Sequence, residues 1–236
     1  MITLDTDYSK LYNNKTHNKH ADFLPNNIRA MLSGSSGCGK TNLMLNLLLN
    51  GALDYHDVII YTRTPNQDAY KYLQNFYANI QRKYKLNHKI FNIYDADDEI
   101  PDPSELDQSK SHIIIFDDVM TENQKIITDY FCQGRHSNCN VFYLNQSVHM
   151  TKKHGIRQNA NVFILFAQDE KTLKYFYETY CSADMPFEEF KKFCEDAWLK
   201  NYGYIVINVD EKPESGKYIQ NYSSIYIPEK HAKTFK

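Results

Sequence analysis

The stretch Gly34-Ser35-Ser36-Gly37-Cys38-Gly39-Lys40-Thr41 constrains this chain more than any other feature. It is a full match to the pattern G-x-x-x-x-G-K-[ST]. The glycines let the backbone wrap tightly with its N–H groups pointing inward. Such a loop works only between a strand and a helix, and the flanking residues fit that demand. Ile28 to Leu32 reads as a short apolar strand. Asn42 to Leu49 is apolar at helical spacing and lacks β-branched residues, so it reads as a buried helix. By chance the pattern arises in about one chain of this length in a hundred. The strand before it and the helix after it make an accident rarer still.

Inward N–H groups and the positive end of a helix dipole together make an anion site. The expected ligand is a nucleoside triphosphate, ATP, with Mg²⁺. Residues Gly34 to Asn42 would wrap its phosphates, with Lys40 reaching the β- and γ-phosphates and the Thr41 hydroxyl ligating the metal. Cys38 is expected only to fill space.

Further short strands alternate with helical stretches. Val58 to Tyr61, Ile90 to Tyr94, Val141 to Leu144, Val162 to Phe166 and Tyr204 to Val209 read as strands. Helices are expected from Pro65 to about Tyr77, from a Thr121 cap to about Cys132, and over 169–181 and 186–200. The alternation predicts an α/β fold with a mostly parallel central sheet flanked by helices. Ligands of such sheets bind at the carboxyl ends of the strands. The expected organisation is a flexible polar arm over 1–22, a P-loop domain over 23–210 and an irregular tail over 211–236.

His112-Ile113-Ile114-Ile115-Phe116 is a continuous apolar run ending in Asp117-Asp118. Such a run fits a strand buried on both faces. Asp117 is assigned to Mg²⁺, opposite Thr41, and Asp118 to the attacking water as general base. Asn145 and Gln146 end the next strand. An amide there can touch both the γ-phosphate and the water, and Gln146 is the favoured sensor. Arg135 lies just before that strand and Arg157 a short loop after it. Either is a candidate for an arginine supplied to a neighbouring subunit's transition state. Lys152, Lys153 and His154, between His149 and Arg157, form the best candidate for a local basic patch.

The formal charge of −2 excludes a protein that coats nucleic acid by sheer basicity, so any DNA contact must be local. Five cysteines, an odd count without a CxxC pair, argue against a disulfide framework or zinc site and for a reducing intracellular compartment. No signal-like leader and no run of 18 apolar residues is present, so no membrane association is expected.

Phe23-Leu24-Pro25 leading into MLSGSSGCGKTN (31–42), IIIFDDV (113–119), GRHSNCNVFYLNQS (134–147) and IRQNANVFILF (156–166) stand in an order and spacing that resembles a known family. They look like the genome-packaging ATPases of large DNA viruses, virophages and Polinton-type elements, within the FtsK/HerA branch of P-loop motors. The resemblance spans roughly residues 23–210. It implies a RecA-like sheet, a homo-oligomeric ring, a capsid or vertex protein as partner, and ATP-driven pumping of double-stranded DNA into a preformed capsid. It assigns Lys40 and Thr41 to nucleotide and metal, Asp117 and Asp118 to catalysis, Gln146 to sensing, and Arg135 or Arg157 to the finger. One departure is Asp118, where many members of the wider branch carry Glu. Other readings are a helicase or AAA-type remodeller, and a nucleotide-dependent assembly protein with little turnover.

Overall fold

The computed structural model of the chain describes residues 20–95, 97–122, 124–151 and 153–232. The expected arm over 1–22 lies mostly outside them. Its last residues are part of the fold. His20 and Ala21 are buried, His20 Nε2 meets Asn140 Oδ1 at 3.2 Å, and the Ala21 amide donates to the Ala52 carbonyl.

Among the described residues, nine strands form one sheet. They are β1 (Arg29–Ser33), β2 (Asp57–Thr62), β3 (Phe91–Asp95), β4 (His112–Asp117), β5 (Cys139–Asn145), β6 (Val162–Phe166), β7 (Tyr204–Asn208), β8 (Tyr218–Gln220) and β9 (Ser224–Tyr226). The order across the sheet is β3-β2-β4-β5-β1-β6-β7-β8-β9. The pairs from β3 to β6 are parallel, and β7, β8 and β9 add antiparallel to that edge. The mostly parallel sheet expected from the alternation is therefore present.

Successive strand residues point to opposite faces, so each buried strand feeds two cores. Ile113 and Ile115 of β4 pack under α1 (Lys40–Leu49) and α2 (Asp68–Lys83), with Leu45, Tyr70, Leu73 and Tyr77. Ile114 and Phe116 pack under α3 (Gln124–Gln133), α4 (Glu170–Phe176) and α5 (Phe187–Trp198), with Ile127, Tyr130, Phe176 and Phe190. Burial on both faces explains why β4 reads as an unbroken apolar run rather than an alternating one.

Three expectations need correction. The tail beyond 210 is not irregular: it carries β8, β9 and the short helix α6 (Glu229–Ala232). The helix expected from Pro65 starts instead at Asp68, because the Gln67 amide closes a turn onto the Thr64 carbonyl first. Thr121 does not begin a helix. Its hydroxyl donates to the Glu122 carboxylate, and α3 opens at Gln124.

Candidate nucleotide site

The parallel register aligns the strand ends that the sequence marked. Ser33 of β1 pairs with Asn145 of β5, and Asp117 of β4 pairs with Leu144 of β5 and Thr62 of β2. A cleft of about 690 Å³ opens at these ends. It is lined by Ser36, Gly37 and Gly39 to Asn42 of the loop, by Asp117, Asp118, Asn145 and Gln146, and by Phe166, Lys200 to Tyr202, Tyr204 and Asn221 from the other side.

The loop leaves β1 after Ser33 and enters α1 at Lys40. Gly39 sits at φ 108°, a left-handed conformation that a side chain resists, and so directs the first amides of α1 into the cleft. Lys40 Nζ donates to the Gly34 carbonyl at 2.7 Å and the Ser35 carbonyl at 2.9 Å. The ammonium thus rests on its own loop, in the concavity that phosphate oxygens would share. Cys38 Sγ lies within the same fold of the loop, 3.7 Å from Lys40 Nζ.

Asp117 is buried, at 7% exposure. Its Oδ2 accepts from Thr41 Oγ1 at 3.3 Å and from the Tyr70 hydroxyl at 2.5 Å. Burial holds this carboxyl above the usual carboxylate range, against the pull of those two donors and of Lys40. Thr41 and Asp117 are hard oxygen donors side by side, which suits Mg²⁺ completed by water and phosphate oxygens. Among the described residues no group of three or more His, Cys, Asp or Glu forms a separate metal site. Tyr70, on α2, went unnoticed in the sequence. A tyrosine on the inner face of an amphipathic helix carries no signal of its own until the fold sets it against Asp117.

Asp118 turns the other way. It is exposed and has φ 55°, so the chain bends there, with Asp117 buried and Asp118 open to the cleft. Gln146 Nε2 donates to Asp118 Oδ1 at 3.5 Å. The structure therefore brings the proposed base and the proposed sensor together. Asn145 takes a different place. It is buried, its Oδ1 accepts from Ser33 Oγ at 2.7 Å, and its Nδ2 is buried without a hydrogen-bond partner among the described residues. A buried amide donor left over at the rim of an anion cleft fits a ligand that brings acceptors.

Arg135 and Arg157 are not with the other residues. Arg135 lies in the turn Gly134–Ser137 before β5, about 20 Å of strand away from Asn145. Its Nε donates to His136 Nε2 at 3.4 Å. Arg157 lies in a π-helical turn before β6, with its guanidinium 5.3 Å from the Tyr175 ring centre. The Asn159 carbonyl accepts from Arg29 Nε at the first residue of β1. Both arginines and the Ile156-Arg157-Gln158-Asn159 motif thus sit at the amino ends of the strands. They lie at the rim opposite the ligand-binding carboxyl ends, because each arginine precedes its strand rather than ending one. Within the segment His149 to Arg157, Lys152 lies outside the described residues. His149 Nε2 meets Thr172 Oγ1 at 3.2 Å.

The family model described as Poxvirus A32 protein matches residues 15–175 of the chain. Among solved structures, the chain is similar to the genome packaging NTPase B204 from Sulfolobus turreted icosahedral virus 2 in complex with AMPPCP. That match has a TM-score of 0.55 at 15% identity, over 82% of this chain and 96% of that one. The same protein in complex with ATP-gammaS gives 0.52 at 16% identity, over 85% and 98%. B204 described as the DNA-packaging ATPase from Sulfolobus turreted icosahedral virus gives 0.54 at 16% identity, over 81% and 95%. These likenesses establish the P-loop NTPase fold. No curated protein shows significant similarity to the chain.

Proposed function

The chain belongs to the Poxvirus A32 protein family, and from that premise we propose that it is an ATPase that drives double-stranded viral DNA into a preformed capsid. The observation that carries the reading is the convergence at one cleft of the phosphate loop, the Thr41–Asp117 pair and the Asp118–Gln146 pair. The likeness of B204, whose described roles are genome packaging and nucleotide binding, supports it.

Lys40 and the first amides of α1 hold the phosphates, and the loop carbonyls that now receive the ammonium give way to phosphate oxygens. Thr41 and Asp117 would hold Mg²⁺, which supplies charge neutralisation at the β- and γ-phosphate oxygens. Tyr70 fixes the Asp117 carboxylate in place. Asp118 takes a proton from the attacking water, and Gln146 orients that water. Left-handed backbone is far better tolerated by Asp and Asn than by most residues, so Asp118→Asn keeps the turn while removing the base. It is expected to bind Mg-ATP within about threefold of the parent and to hydrolyse it on the order of 10²–10⁴-fold more slowly. Single-turnover hydrolysis with a separate binding titration measures both. Near-normal hydrolysis would take the base role away from Asp118.

A ring of identical subunits completes the reading. Neither candidate arginine reaches its own cleft, so a neighbouring copy would have to present one. Arg135 is exposed, whereas Arg157 lies over Tyr175 with its Nε buried, so Arg135 is the one a neighbour can receive without unpacking the fold. Capsid or vertex protein is the second partner, and the host cell interior or the virion is the place of action. Among the described residues no helix is long and apolar enough to cross a membrane.

Translocation is tested by ATP-dependent displacement of a triplex-forming oligonucleotide from intact duplex DNA. Displacement without strand separation is the expected result. Unwinding of a forked duplex with a single-strand preference would favour a helicase instead.

A further inference from the structure

We propose that the part of the cleft between Gly39 and the turn Lys200 to Tyr202 holds the nucleobase, with the Tyr202 ring as its stacking face. Lys200, Asn201 and Asn221 form the polar rim of this subsite. The inference rests on the ATPase reading and adds the base-binding half of the same site.

Sheet order sets the direction of the ligand. The loop leaves β1, and β5 and β4 on one side of it carry Gln146, Asp117 and Asp118. A triphosphate whose γ end meets Asp118 must run its α-phosphate and base toward the other side. There β6 ends at Phe166, β7 begins at Tyr204, and Asn221 follows β8. Because β7 is antiparallel to both neighbours, its start comes to the same rim as the ends of β6 and β8.

Tyr202 is a large aromatic left 71% exposed at this rim. A side-chain carbon placed on Gly39 would lie 3.3 Å from Tyr202 Cδ1, so the ring rests directly against the phosphate loop. The mount is rigid. Tyr202, Asn221 and Tyr222 all have left-handed backbone, with φ of 61°, 51° and 48°. Non-glycine residues in that conformation gather at ligand clamps, where the surroundings hold them. Gly203 permits the tight turn, since any side chain there would meet the Ala197 carbonyl oxygen at 2.0 Å. Asn221 Oδ1 accepts from the Tyr204 amide at 2.8 Å, tying the two segments together. Tyr222 packs on Phe23 and Tyr204, and Tyr204 on Phe166. An exposed aromatic face on a fixed base beside a phosphate loop suits a flat π-ligand joined to phosphates. Amide side chains at its edge match the donor and acceptor edge of a base.

The test is equilibrium binding of Mg-ATP and of Mg-tripolyphosphate, which lacks sugar and base, to the full chain and two variants. Tyr202→Phe keeps the ring and should bind ATP within about threefold of the parent. Tyr202→Gly relieves the left-handed backbone and removes the ring. It should bind ATP at least about tenfold more weakly and leave tripolyphosphate affinity unchanged. Equal ATP affinity in Tyr202→Gly and the parent would overturn the base subsite while leaving the phosphate loop intact. Parallel loss of ATP and tripolyphosphate would also overturn it, since the turn would then be bracing the loop. A parent chain that binds neither would overturn the ATPase reading itself.

Discussion

Lys40→Ala is expected to lower steady-state ATP hydrolysis by at least about a hundredfold. The ammonium is the cation of the loop best placed for β- and γ-phosphate oxygens. In the structure it is held 2.7 Å and 2.9 Å from the Gly34 and Ser35 carbonyls, poised over the concavity they border. Removing it takes away charge stabilisation where negative charge accumulates during transfer. Lys40→Arg keeps the charge but replaces a compact ammonium with a broad planar fork. That fork cannot place its charge where the ammonium sits between the Gly34 and Ser35 carbonyls, so Arg should rescue poorly. Phosphate release measured for both variants, with far-UV circular dichroism to confirm folding, checks this. Turnover of Lys40→Ala equal to the parent's would mean that the loop does not do the chemistry.

Asp117→Asn should separate function from stability. Hydrolysis should fall by on the order of a hundredfold or more, because the carboxylate beside Thr41 is the expected metal ligand. The metal-free protein should become more stable at neutral to alkaline pH. Burial raises the Asp117 pKa in the fold above its unfolded value. Between those two values the native state binds more protons than the unfolded chain, so stability falls as pH rises through that window. Above it, the full cost of an ionised buried carboxylate is present, and Asn removes that cost. The expected gain is about 0.5–2 kcal/mol, and each kcal/mol raises Tm by about 2–4 °C in a chain of this size. Thermal unfolding in chelator at pH 8 and pH 5 should show a gain at pH 8 that shrinks at pH 5. A loss of stability at pH 8 would mean that the hydrogen bonds from Tyr70 and Thr41 outweigh the desolvation of the charge.

The parts of the site that could be read from the sequence are those whose chemistry is local. Gly34 to Thr41 announce themselves because the loop's conformation and its ligand contacts are encoded in consecutive residues. Asp117 and Asp118 stand out because they end an apolar run, and the register of β4 against β2 and β5 puts that end beside the loop. Tyr70 meets Asp117, and Tyr202 and Asn221 reach the cleft, only through the fold, from α2, from the turn before β7 and from the end of β8. No short-range pattern marks them. The edge strands β8 and β9 escaped notice because each has three residues. Ile225 of β9 is 57% exposed, so the strand lacks the apolar alternation of a buried one. Arg135 and Arg157 precede β5 and β6, and a parallel strand carries its two ends to opposite rims of the sheet, so short-range sequence alone cannot say which rim, or whose cleft, they serve.

Steady-state phosphate release from Mg-ATP by this 236-residue chain, with and without long double-stranded DNA, tests the packaging reading most directly. The account predicts turnover that depends on Lys40 and rises several-fold with double-stranded DNA, more than with single-stranded DNA of equal nucleotide concentration. Phosphate release no greater than that of Lys40→Ala, with DNA present or absent, would contradict it.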